Sequence, residues 1–258
     1  CGKYVHLLTF DGEELGRAVS LVRRLISSLD AQAALPLLLS TLGRLSATEF
    51  ERICRLALVF VTRHSVIGGL DPSNLESVLF DLAKKARALL EADPPQSKDC
   101  LREIKNAFIQ NSPSDEQLEV MIKELVLETD VAGYVLERIA RHLQSSTKEV
   151  TIDEANLEHI FPQNPKPNAW GGRKIQEKLE PYLWHIGNLT ILGERINMGA
   201  ANAEFSIKKG DYYSKSELEI NKKICQYMDW NEKAILDRAG AMVAPALEVW
   251  SFDNPSRV

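Results

Sequence analysis

The feature that most constrains this chain is a change of texture near Ser145-Ser146-Thr147-Lys148-Glu149. Before it, apolar residues recur at helical spacing. After it, prolines, glycines and asparagines interrupt every long period until about Ser216. A chain with that division is expected to fold as a helical N-terminal half, residues 1–147, followed by a different kind of domain over residues 148–258.

The first half reads as a series of capped helices. Ser46-Ala47-Thr48-Glu49 is a capping box, and Phe50, Ile53, Cys54, Ala57 and Val61 follow it as one apolar face. Ser73 to Glu76 repeats the signature before Leu75, Val78, Leu79, Leu82, Ala86 and Leu89. Asp93-Pro94-Pro95-Gln96 ends that helix, because proline lacks the amide a continuing helix needs. Ser114 to Gln117 opens a third helix, and Val131, Tyr134, Val135, Ile139 and Leu143 mark a fourth stripe. His64 and His142 each stand apart near helix ends, where a solvated or capping role is expected. This half offers no catalytic constellation and reads as a scaffold or a docking surface.

Bulk properties narrow the function classes. No apolar run approaches the length of a membrane span, so no membrane association is expected. The four cysteines lack paired spacing and suit free thiols in a reducing, cytoplasmic setting. Net charge is −5, and residues 149–258 carry 13 Lys and Arg against 16 Asp and Glu. Any grip on a nucleic acid is therefore expected to come from local patches or from a part of the protein outside this chain. The chain begins at Cys1, within what reads as helix, and is expected to be part of a longer protein. From Ser251 onward it reads as a frayed tail.

Three short pieces of the second half carry residue types suited to phosphodiester hydrolysis: Leu157-Glu158-His159-Ile160 with Pro162-Gln163, Gly187-Asn188-Leu189-Thr190 with Leu192, and Arg195-Ile196-Asn197. That reaction needs a base near neutral pH, which histidine supplies, and oxygen ligands for a divalent cation at the phosphate. It also needs a group that fixes the imidazole. Two β-prone stretches, Leu157 to Ile160 and Leu189 to Leu192, imply a hairpin, and Asn197 opens a helix packed back over it. On an extended strand Glu158 and His159 point to opposite faces, so a ligand beside the base requires a bend, which Pro162 can supply. Arg173, Lys174, Lys208 and Lys209 flank these pieces and are candidates for phosphate contacts. His185 is read as a packed or surface histidine of the hairpin rather than a further ligand or base, and Trp170, Trp184 and Trp230 as core rather than base-stacking residues.

The order of these pieces resembles the HNH, or His-Me finger, nucleases. More narrowly, Glu158 to Gln163, His185 to Asn197, Ala201-Asn202 with Phe205 and Lys208, Trp230, Ile235 and Arg238 together resemble the C-terminal nuclease domain of GmrSD-type proteins. These are restriction-like bacterial defence enzymes acting on modified DNA, in which a ParB-like NTPase domain precedes the nuclease domain. The resemblance implies a mainly α chain, with a small ββα-metal core after the helical half and further C-terminal helices. It implies a metal-dependent DNA endonuclease or nickase, with His159 as general base, Asn188 bracing hairpin and histidine, and Glu158 and Asn197 as ligands. Glu stands where Asp is commoner, and Asn replaces a final His, which favours Mg²⁺ or Mn²⁺. Without flanking CxxC pairs, no structural zinc is expected. Implied partners are DNA and the NTPase or sensor domain of the same protein; apart from the resemblance, the helical half is a candidate surface for a second copy of the chain. Two other readings share the pattern: a non-catalytic interaction module with a degenerate core, and an RNA-cleaving nuclease.

Overall fold

In a computed structural model of the protein, the described residues are 16–127, 129–144 and 155–258. Helix follows the apolar stripes. In the first half these are α1 (Gly16–Arg23), α2 (Leu35–Thr41), α3 (Ala47–Val61), α4 (Pro72–Leu90), α5 (Ser97–Gln110) and α6 (Asp115–Lys123). Ser46 and Glu49 form the expected reciprocal cap on α3, and every stripe residue from Phe50 to Val61 is buried. Helix α4 begins two residues earlier than a Ser73 cap would put it. Asp71 caps it by accepting from the Ser73 amide, and Pro72 takes the first turn, where its missing N–H costs nothing.

Two expectations for this half change. His64 is fully buried, tilted against Phe60 at 5.4 Å between ring centres, and not solvated. The residues after Ser251 are not frayed. Buried Arg63 donates to the carbonyls of Trp250 (3.0 Å) and Pro113 (2.8 Å), and Arg55 reaches the carbonyls of Ser256 and Val258. Each of these carbonyls thereby finds a donor, which ties the last turn down.

The fourth stripe of the first half forms α7 (Thr129–Leu143), and the second half contributes β1 (Ala155–His159), α8 (Arg173–Leu179), β2 (Leu189–Gly193), α9 (Glu194–Ala200), α10 (Phe205–Ile207), α11 (Glu219–Lys222) and α12 (Glu232–Val249). The chain as a whole is mainly helical, and among the described residues two strands form its sheet. They pair antiparallel, with Glu158 opposite Thr190 and His159 opposite Leu189. Helix α9 leaves β2 directly and packs on both strands. From Ser216 to Arg238 helical spacing returns in two runs, Leu218 to Tyr227 and then Ile235 with Leu236, and the helix is broken between them. A single turn of α11 runs into a tight turn at Lys223–Gln226, and α12 starts afresh where Asn231 accepts from the Ala234 amide.

The chain divides into two compact units, one running to Leu118 and resuming at Trp250–Val258, the other comprising Glu119–Val249. The boundary expected at 147/148 lies outside the described residues. Helix α7 goes with the hairpin because it packs on β1, β2, α11 and α12. The core of the second unit gathers Ile160, Phe161, Trp170, Leu192, Phe205, Tyr213, Trp230 and Ile235. Among the described residues no helix is long and apolar enough to cross a membrane.

Candidate active site

Strand β1 ends on His159, and the chain bends at once through Ile160 and Phe161. Asn188 makes that bend. Its side-chain oxygen accepts from the Phe161 amide at 2.8 Å and from the Trp230 indole at 3.0 Å. Its amide nitrogen donates to the carbonyls of Phe161 (3.0 Å) and Leu183 (3.1 Å), and its own carbonyl accepts from Ile160 N at 2.9 Å. A fully buried amide with every side-chain valence used is a rigid joint. Asn188 thus braces the backbone just beyond His159.

Asn188 is itself held from behind. Buried Arg238 on α12 donates to the carbonyls of Ile186, Gly187 and Leu189. Gly187 lies so close to α12 that a Cβ there would stand 2.1 Å from the Ile235 carbonyl oxygen, so only glycine fits. His185 is packed rather than at the surface, and accepts from the Gly187 amide through Nδ1 at 3.1 Å. Trp170 and Trp230 are core residues.

The His159 ring is half-buried and meets Trp184 edge-on, 4.6 Å between centres. The Gln163 amide nitrogen lies 3.5 Å from its Nε2, a contact at the outer limit of hydrogen bonding. Burial, and then the nearby Lys208 charge, lower its pKa to about 4. The imidazole is therefore neutral at neutral pH, with a lone pair able to accept a proton.

Glu158 occupies the other face of the strand. Its Oε1 lies 2.6 Å from Lys208 Nζ and 3.4 Å from the Tyr213 hydroxyl, and Lys208 also donates to the His159 carbonyl at 2.7 Å. Glu158 and Lys208 are both buried, so burial pushes the carboxyl up and the ammonium down while each charge favours the other. This corrects two expectations. Lys208 is 0 % exposed and cannot reach a phosphate in this conformation. Glu158 does not stand beside the imidazole, because the strand stays extended through His159 and the bend comes after it.

The remaining candidates are dispersed. Asn197 donates from Nδ2 to the Leu157 carbonyl at 3.2 Å and so ties α9 to β1. Lys209 is half-buried and donates to the Tyr227 carbonyl at 2.7 Å. Arg173 and Lys174 are exposed at the start of α8, where Arg173 pairs with Glu177 at 2.8 Å. Sequence reasoning missed the inward role of Lys208, although its spacing from buried Phe205 places both on one helical face.

Of the two residues expected to hold a divalent cation, Glu158 does not fit one as it is arranged. A cation at Glu158 would meet the Lys208 ammonium already on that oxygen, and among the described residues no three His, Cys, Asp or Glu side chains converge.

Comparison with curated proteins found no match to the chain. The family described as GmrSD restriction endonucleases, C-terminal domain, matches residues 112–244, which include α7, the hairpin and most of α12. A restriction endonuclease domain implies nuclease activity in the broad sense, with DNA as the substrate class. The match spans more than half of the chain, and the protein belongs to the family of GmrSD restriction endonucleases through their C-terminal domain.

Proposed function

We propose that residues of the second unit form an HNH-type phosphodiesterase that cleaves or nicks DNA, with His159 as the general base. The observation that carries this reading is the placement of a neutral, half-buried imidazole at the end of β1, immediately before a bend locked by Asn188. A neutral imidazole takes a proton from an attacking water. With a pKa near 4 the free ring is a weak base, and an anionic phosphate beside it raises its proton affinity toward the operating pH. Asn188 acts through the backbone in this scheme. Arg173 and Lys174 supply the exposed cations for the DNA backbone.

Mg²⁺ or Mn²⁺ belongs to the proposal as the cofactor to be tested, with Asn197 as the ligand left for it. The donor set around Glu158 does not fit a cation, so no step is assigned to the ion. The wider setting proposed is anti-phage defence in a bacterial cytoplasm.

The test is cleavage of supercoiled plasmid by wild type and His159→Ala, each with Mg²⁺, Mn²⁺ or EDTA, beside a structured RNA. Wild type is expected to convert plasmid to open-circular or linear form in a cation-dependent way, and the folded variant to lose at least 100-fold, about the scale of general-base catalysis. Equal cleavage by both proteins sinks the assignment. The occupied Glu158 carboxylate favours one second reading, a degenerate core that serves as an interaction module. That reading expects no cleavage with any cation.

A further inference from the structure

We propose that Lys208 is a positioning residue for His159: its ammonium group, anchored by buried Glu158, holds the His159 carbonyl and thereby sets where the imidazole stands. The inference rests on the reading of His159 as the base.

Local geometry supplies the first argument. Lys208 opens a π-helical segment, Lys208–Tyr213, that follows α10. With its i→i+5 bonds, this wider turn brings residues five apart onto one side, so Lys208 and Tyr213 both reach Glu158 Oε1. One ammonium group then bridges two neighbours on β1, the Glu158 carboxylate at 2.6 Å and the His159 carbonyl at 2.7 Å.

Energetics supplies the second. A buried ion pair gives little or no net stability over an apolar pair of equal size, because both ions lose their hydration. Packing alone therefore does not call for an ammonium at a side chain that is 0 % exposed. What the charge adds is direction: a charge-assisted hydrogen bond to one particular carbonyl.

The clamp is also complete. Lys208 fixes the carbonyl of His159, and Asn188 fixes Ile160 and Phe161 on the next two residues. With the backbone held from the His159 carbonyl through Phe161, the ring is set against Trp184. Displacement of a reacting group by about 1 Å is enough to cost on the order of 100-fold in rate.

Lys208→Met alone would strand a buried carboxylate and risk unfolding. The decisive comparison is between Glu158→Gln, in which Lys208 keeps an N–H for the His159 carbonyl whether its amine ends charged or neutral, and the neutral pair Glu158→Gln/Lys208→Met, which removes it. Both are made in the full chain, with folding checked by thermal melting. The first readout is NMR of the labelled His159 ring: at 4.6 Å from Trp184 its protons are expected to feel that ring current and so to report its position without any catalysis. The second is plasmid cleavage, separated into kcat and KM.

The expected result is that the pair variant, folded, loses the ring-current shift and falls at least tenfold below Glu158→Gln in kcat, with KM for DNA the same. The proposal is overturned if the ring shifts of the pair variant match those of Glu158→Gln. It is overturned equally if Glu158→Gln alone abolishes cleavage and is rescued by raised Mn²⁺, since Glu158 is then a ligand and not an anchor. Should wild type fail to cleave, or His159→Ala cleave as well as wild type, the base assignment fails by itself. The ring shifts then still decide whether Lys208 positions the histidine.

Discussion

The Asn188 side chain pairs with the Phe161 backbone in both directions, accepting its N–H at 2.8 Å and donating to its carbonyl at 3.0 Å. A single amide thus behaves as one more rung of a β-ladder across the turn that follows His159. Trp230 and Leu183 take the two remaining valences, so this rung is also the knot that joins the hairpin to the core behind it.

Removing that knot should be costly. Asn188→Ala leaves buried partners at Phe161, Trp230 and Leu183 without a hydrogen bond, each costing about 1–3 kcal/mol of uncompensated desolvation. We expect a loss of about 3–5 kcal/mol in urea unfolding, large enough to melt the second unit. Asn188→Asp should be little better, because a carboxylate would face two carbonyl oxygens. A loss below about 1 kcal/mol would refute the latch.

Gly187→Ala tests the packing behind it. The added methyl would stand 2.1 Å from the Ile235 carbonyl, a backbone atom of α12 that cannot swing aside. Overpacking usually costs about 1–3 kcal/mol, and we expect the upper end of that range as a drop in Tm. Unchanged melting would mean that α12 approaches the turn less closely.

The histidines give stability a defined pH dependence. The folded-state pKa of His159 is lowered to about 4 from 6.5, chiefly by burial, so the unfolded chain binds the proton first. Its stabilising contribution is complete above pH 6.5 and is lost as pH falls toward 4. Buried His64 and His185 are shifted in the same direction by desolvation and act alike. Urea midpoints should therefore fall between pH 7 and pH 4.5, and less so in His159→Phe. By NMR, His159 in the DNA-free protein should remain neutral at pH 5.5. A titration midpoint at 6 or above would remove this account.

Arg173 and Lys174 are the exposed cations of the proposal. Replacing both with alanine should raise KM for plasmid several-fold with kcat little changed. The slope of log K against log salt should become shallower by about one for each phosphate no longer neutralised. If KM and the salt slope both stay at wild-type values, these residues do not touch DNA.

By itself the sequence determined the parts of this protein that depend on neighbours along the chain. Helix stripes, the Ser46 cap and both strands of the hairpin follow from local periodicity and capping, and they formed where residue spacing put them. Strand alternation likewise set Glu158 and His159 on opposite faces. The order of the three motif pieces was enough to suggest the family. Only the tertiary structure decided which face had a partner. Lys208 meets Glu158 across 50 residues of chain, through a π-helical turn that no local period announces. The same holds for Arg238 and Gly187, whose roles exist only because α12 lies against the turn before β2. A charge on a strand reads alike in sequence whether it faces solvent, a cation or a lysine. The burial that distinguishes these cases is a property of the packed core.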